Sequence, residues 1–171
     1  MKKIIFLLCL TSFLSAYSQE NETTVFKKNE LKGNALFLVA GAFEGTYERL
    51  LSEESGIGVS LFVSYDDDIS ENFSVTPYYR FYFGKKPAAG FFVEGFGMLN
   101  STDTAIYNEY NYYSEITTTD FALGFGLGAK WITAKGFVFE INGGAGRNLF
   151  NSDESDYEIV GRGGITLGYR F

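Results

Sequence analysis

Between Ser74 and Phe83 every second residue is apolar. On an extended strand Val75, Pro77, Tyr79, Phe81 and Phe83 share one face, and Ser74, Thr76, Tyr78, Arg80 and Tyr82 share the other. The same period of two returns between Phe121 and Trp131. There Phe121, Leu123, Phe125, Leu127, Ala129 and Trp131 oppose Ala122, Gly124, Gly126, Gly128 and Lys130. Ile165 to Phe171 repeats it. No segment after residue 30 carries a helical period, so the chain has to solve its fold with strands that differ strongly between their two faces.

The pattern predicts eight strands, near 32–41, 44–52, 57–66, 73–84, 89–100, 118–132, 136–148 and 158–171. Most are near the ~9–11 residues that a tilted strand needs to cross a bilayer. Beyond the first pair, the connections alternate in length. Ser52–Gly56, Gly84–Pro87 and Thr133–Gly136 are short, whereas Asp66–Asn72, Ser101–Thr117 and Asn151–Tyr157 are longer and mostly polar. Short turns at one end and long loops at the other are the asymmetry of an outer-membrane barrel, which a β-sandwich has no reason to adopt. The expected fold is all-β, an eight-stranded antiparallel up-and-down transmembrane β-barrel with both termini in the periplasm.

Hydropathy does not say which face of such a barrel points outward, but the polar face does. It combines small residues (Gly124, Gly126, Gly128, Gly144) with Glu48, Arg80, Glu94, Lys130, Glu140, Arg162 and Arg170. Three acids against four bases suit a narrow lumen in which buried charges neutralise one another, and these seven form the expected structural lumen network. Phe91–Phe96 stays open at this point, because setting Glu94 inside brings Phe92 and Phe96 in with it. Tyr47, Tyr65, Phe83, Trp131, Phe137, Tyr169 and Phe171 fall where interfacial aromatic girdles would lie.

The first residues have a separate purpose. Lys2 and Lys3 precede a mainly apolar run, Ile4–Leu14, and Ala16-Tyr17-Ser18 places small residues at a cleavage site. We expect a signal peptide over 1–18, a flexible lead-in over 19–30 and a barrel domain over 31–171. Cys9, the only cysteine, would leave with the signal. Without Lys2 and Lys3, 12 basic residues face 21 acidic ones, a net charge of −9 that disfavours a nucleic-acid partner.

The sequence has no histidine. That excludes serine–histidine and cysteine–histidine triads, a histidine base and histidine-ligated zinc or haem. Gly124–Gly128 and Gly143–Gly146 lack the Lys-Ser/Thr and the following helix of a phosphate loop. Asp66-Asp67-Asp68 with Glu71, and Asp153-Glu154 with Asp156, lack the spacing of an EF-hand and are expected as solvated acidic loops rather than a metal site. No catalytic or cofactor-binding residue is expected. Tyr107–Tyr113 interleaves tyrosine and asparagine, a composition equally suited to adaptable recognition and to a hairpin extended beyond the membrane.

Taken with these features, the terminal Gly168-Tyr169-Arg170-Phe171 resembles the signal by which outer-membrane barrels are recognised for assembly, with Tyr169 and Phe171 carrying it. The chain from residue 19 onward is similar to the small eight-stranded outer-membrane barrels of OmpA/OmpX type. It is more closely similar to uncharacterised short barrels of Bacteroidota, in which steps like Tyr47-Glu48-Arg49 and Phe92-Val93-Glu94-Gly95 recur. Asp103-Thr104-Ala105 also resembles a Bacteroidota O-glycosylation site. The resemblance implies a bacterial outer-membrane location and no reaction. Expected partners are outer-membrane lipid, the barrel-assembly machinery and an unidentified extracellular ligand, with the barrel a monomer. The expected role is structural or surface interaction around a plugged lumen. Alternatives are a narrow pore or lipid- or solute-handling barrel, a soluble periplasmic ligand-binding barrel, and a histidine-free enzyme.

Overall fold

A computed structural model describes residues 26–66, 68–107, 113–150 and 158–171, with side chains given except at 104–107 and 113–115. Its strands are β1 (Asn29–Asn34), β2 (Ala42–Leu50), β3 (Ser55–Ser64), β4 (Glu71–Tyr82), β5 (Gly90–Tyr107), β6 (Tyr113–Ile132), β7 (Phe137–Asn148) and β8 (Ile159–Arg170). A short helix, α1 (Ala35–Ala40), follows β1. Each strand pairs antiparallel with the next, and β1 pairs with β8 through Glu30↔Arg170 to Asn34↔Thr166, closing the barrel. Reciprocal amide bonds between Asn29 and Phe171 (3.1 and 2.8 Å) tie the two ends of the described chain together.

The faces are those of an inverted protein. Phe92, Phe96, Arg80, Lys130, Glu48 and Glu140 are buried inside, whereas Leu61, Leu123, Phe125, Leu127, Ile141 and Leu167 point outward and lie open. Phe125 is 82% exposed and Arg80 is 1% exposed. The Phe91–Phe96 segment is thereby resolved: Glu94 lies inside together with both rings. Their register partners on β6 are Gly128 (to Phe92), Gly126 (to Glu94) and Gly124 (to Phe96). A Cβ at Gly128 or Gly124 would fall 2.5 or 2.3 Å from the facing ring, so the glycine face of β6 is the space those side chains occupy. Outward rings pack in pairs near the end that holds the termini: Phe81 on Phe83 (5.1 Å between centroids), Trp131 on Phe139 (5.5 Å) and Phe137 on Tyr169 (5.5 Å).

The first strand departs from expectation. Alternation placed it at 32–41, but β1 starts at Asn29 and stops at Asn34. There the Asn34 side chain accepts hydrogen bonds from the amides of Leu36 (3.1 Å) and Phe37 (3.5 Å), capping α1. Gly41, at φ +105°, ends the helix in the left-handed conformation. Consecutive apolar residues from Ala35 to Ala40 satisfy no period of two, and a cap at each end turns them into a helix. β8 continues to Ile159, beyond its last pairing with β1. α1 therefore fills a vacancy one strand wide between β8 and β2, which it contacts on either side. Two inter-strand spacings, roughly 10 Å, match the width of one helix. Phe37 packs edge-on against the inward Phe62 (5.1 Å).

The fifth and sixth strands also run past their expected limits of 100 and 118. They remain paired to Tyr107↔Tyr113, so most of the segment expected as a long loop is a two-stranded extension. Residues 108–112, the middle of the tyrosine-rich stretch, lie outside the described residues, as do Asp67, Asp153, Glu154, Asp156 and the expected signal.

Candidate functional site: the charged lumen

Charges reach the lumen because the period of two delivers every second strand residue inward. Glu48 is the hub. Its carboxylate accepts from Lys32 Nζ (2.5 Å), Tyr78 OH (2.9 Å), Lys130 Nζ (3.1 Å), Arg80 Nη1 (3.3 Å) and Tyr82 OH. Lys130 also donates to Tyr82 OH, so cation, phenol and carboxylate form one chain. Glu140 Oε2 accepts from Arg80 Nη1 (2.8 Å) and Lys32 Nζ (3.1 Å). Arg80, whose cross-strand partner is Glu94, donates to it through Nε (2.9 Å) and Nη2 (2.6 Å). The Arg80 guanidinium lies 3.8 Å from the Phe92 ring centroid and 4.7 Å from that of Tyr78, which accounts for apolar rings within an ionic core.

On the α1 side, Arg162 reaches Glu94 Oε1 (3.4 Å) and donates to Ser60 Oγ (3.2 Å). Asn34 donates to Glu44 (2.6 Å) and to the Gly163 carbonyl (3.1 Å). At the terminus side, Glu30 accepts from Lys130 Nζ (2.8 Å) and Arg170 Nε (2.7 Å). All seven charged residues singled out in the sequence thus point inward and belong to one connected set. Glu30, Lys32, Tyr78 and Tyr82 complete it. Tyr78 and Tyr82 share the polar face of the Ser74–Phe83 alternation with Arg80, and their hydrogen bonds to Glu48 emerge only in the closed barrel. Glu30 precedes the strand expected from residue 32, and Lys32 is the first residue of that strand; Glu30, Lys32 and Asn34 alternate with Leu31 and Gly33.

The set therefore holds Glu30, Glu48, Glu94 and Glu140 against Lys32, Arg80, Lys130, Arg162 and Arg170. A lone buried charge costs several kcal/mol, and here each side chain meets an opposite partner. These pairs tie β1, β2, β4, β6 and β7 to one another across the lumen. Among the described residues no group of three metal-ligating side chains occurs. Tyr169 and Phe171 lie outward at the terminus end, on the opposite face from Arg170.

A solved structure has the same architecture. The chain is similar to the crystal structure of the N-terminal β-barrel domain of Pseudomonas aeruginosa OprF, at a TM-score of 0.60 and 16% identity over 84% of this chain and 96% of that one. The shared fold is a closed eight-stranded antiparallel barrel. No protein-family model matches the sequence, and no curated protein matches it. At this identity the likeness concerns the fold alone, and any role has to be argued from this chain's own residues.

Proposed function

We propose that the chain is an integral barrel of the bacterial outer membrane with a non-enzymatic role: a lumen plugged by side chains, supporting surface loops that meet extracellular partners. One observation carries the reading. Leu127 is 58% exposed and Phe125 82% exposed on the outer wall, while Lys32, Arg80, Lys130 and Arg170 are buried inside with Glu30, Glu48, Glu94 and Glu140. Water would favour the opposite arrangement, and lipid favours this one. In a closed barrel all ladder bonds are internal, as a bilayer requires. Eight strands leave an interior that side chains fill. The leader over 1–18, the assembly role of Tyr169 and Phe171, and recognition by the tyrosine-rich hairpin belong to this proposal.

The test is flotation of the full chain, expressed in a bacterium and recovered with the membranes. The protein should float with vesicles after washing in urea and run faster on gels unheated than boiled. Release by osmotic shock without detergent would overturn the membrane reading. A sizeable steady current in planar bilayers would overturn the plugged lumen.

A further inference from the structure

The turn between β4 and β5 is folded into the barrel rather than left in solvent. Ala88 and Ala89 are 0% and 3% exposed, and Ala88 belongs to a buried cluster with Leu50, Tyr82 and Phe92. The turn is held from two sides. Arg170 donates from Nη1 to the Pro87 carbonyl (2.8 Å) and from Nη2 to the Ala88 carbonyl (2.7 Å), while its Nε is fixed on Glu30. From the β2–β3 turn, the Glu53 carbonyl accepts the Ala88 amide (2.5 Å) and the Glu54 carbonyl accepts the Tyr82 amide (2.7 Å).

Two backbone features mark this turn. Ala88 has φ +46°, a left-handed conformation that a non-glycine residue adopts at a cost when its surroundings impose it. Gly84 and Gly90 sit face to face at the base of the turn, so close that a Cβ on Gly90 would lie 2.6 Å from the Gly84 Cα, and Gly90 has φ +92°. A glycine at each end gives the intervening residues two points of free rotation.

We propose that Lys85–Ala89 is a flap seated in the terminus-side mouth of the barrel, hinged at Gly84 and Gly90, with Arg170 as its clasp. Opening exposes Tyr82 and the Glu30–Lys130 end of the ion network to the compartment on that side, while the strands stay paired. The flap rests on the membrane-barrel reading only for which compartment it faces. The clasp itself is a property of the folded barrel.

The experiment uses the full chain with Cys9→Ser, folded in nanodiscs and carrying one cysteine at a time. Labelling by a polar maleimide is compared for Ala89→Cys in the flap and Lys85→Cys, an exposed reference on the same turn. Gel mobility of the unheated protein reports whether the barrel is intact. With Arg170 present, Ala89→Cys should label about 10-fold more slowly than the reference, yet reach completion while the barrel still migrates as folded. Adding Arg170→Gln should bring its rate close to that of the reference. Glu30→Leu, which removes the acceptor of Arg170 Nε, should move it in the same direction.

Labelling as fast as the reference in the parent would show that the turn is not seated. Labelling only after the barrel unfolds would show that it does not hinge. Both results come from the parent alone, so they hold even where Arg170→Gln does not fold, and a folded Arg170→Gln with unchanged protection would remove the clasp. Failure to enter nanodiscs would speak against the membrane reading, and detergent-folded protein would still report on the flap.

Discussion

A carboxylate buried without partners is among the least stable groups a protein can contain, and Glu48 is buried with donors from Lys32, Tyr78, Arg80, Tyr82 and Lys130. Glu48→Ala leaves three cations short of an anion and should lower stability by about 3–5 kcal/mol, measured as the urea midpoint of the gel-mobility shift. Arg147, exposed and paired with Glu158 on the surface, supplies the contrast. Arg147→Ala should cost no more than ~1 kcal/mol in the same assay. Most of the network's members were legible as residues, because a period of two puts Glu48, Arg80, Glu94, Lys130, Glu140, Arg162 and Arg170 on faces opposite apolar neighbours. Their partners were not. Glu48 meets Lys130 across the lumen at a sequence separation of 82, and no local pattern encodes a contact that barrel closure creates.

At the scale of elements, α1 and the glycine face of β6 show how differently sequence reports on strand and helix. The glycines were legible as small inward positions, but the reason for them lay on β5, where Phe92 and Phe96 face Gly128 and Gly124. Gly128→Val should overpack that contact and destabilise the barrel by about 1–3 kcal/mol, seen as a lower urea midpoint. α1 was hidden because Leu36–Val39 is apolar throughout, and a short apolar run does not distinguish strand from helix. Asn34 settles it through its cap. Asn34→Ala removes that cap together with the bonds to Glu44 and Gly163, and should cost about 1–2 kcal/mol. It should also speed amide exchange in α1 more than in β3, as hydrogen-exchange mass spectrometry would detect.

For the whole molecule, the decisive property is that its hydrophobic side faces outward. Strand count and alternation were visible along the chain, since each is local. The expected sorting of short and long connections was not kept: β5 and β6 stay paired to Tyr107↔Tyr113, and the β4–β5 connection is longer than the β3–β4 one. The outward face was inferable only from the company the charges keep. Leu127 makes the distinction measurable. On a solvated surface Leu127→Arg would be nearly neutral, but near the middle of a bilayer it should cost about 2–4 kcal/mol in vesicle-folded protein.

The most direct measurement uses Trp131, the single tryptophan, half-exposed on the outer wall beside Phe139 and close to the terminus end. Folded into vesicles made with lipids brominated at successive acyl positions, the protein should show strong quenching of Trp131 fluorescence, greatest with bromine near the headgroups, where an aromatic girdle sits. Fluorescence unchanged by brominated lipid at every position would contradict a barrel whose outer wall meets the membrane.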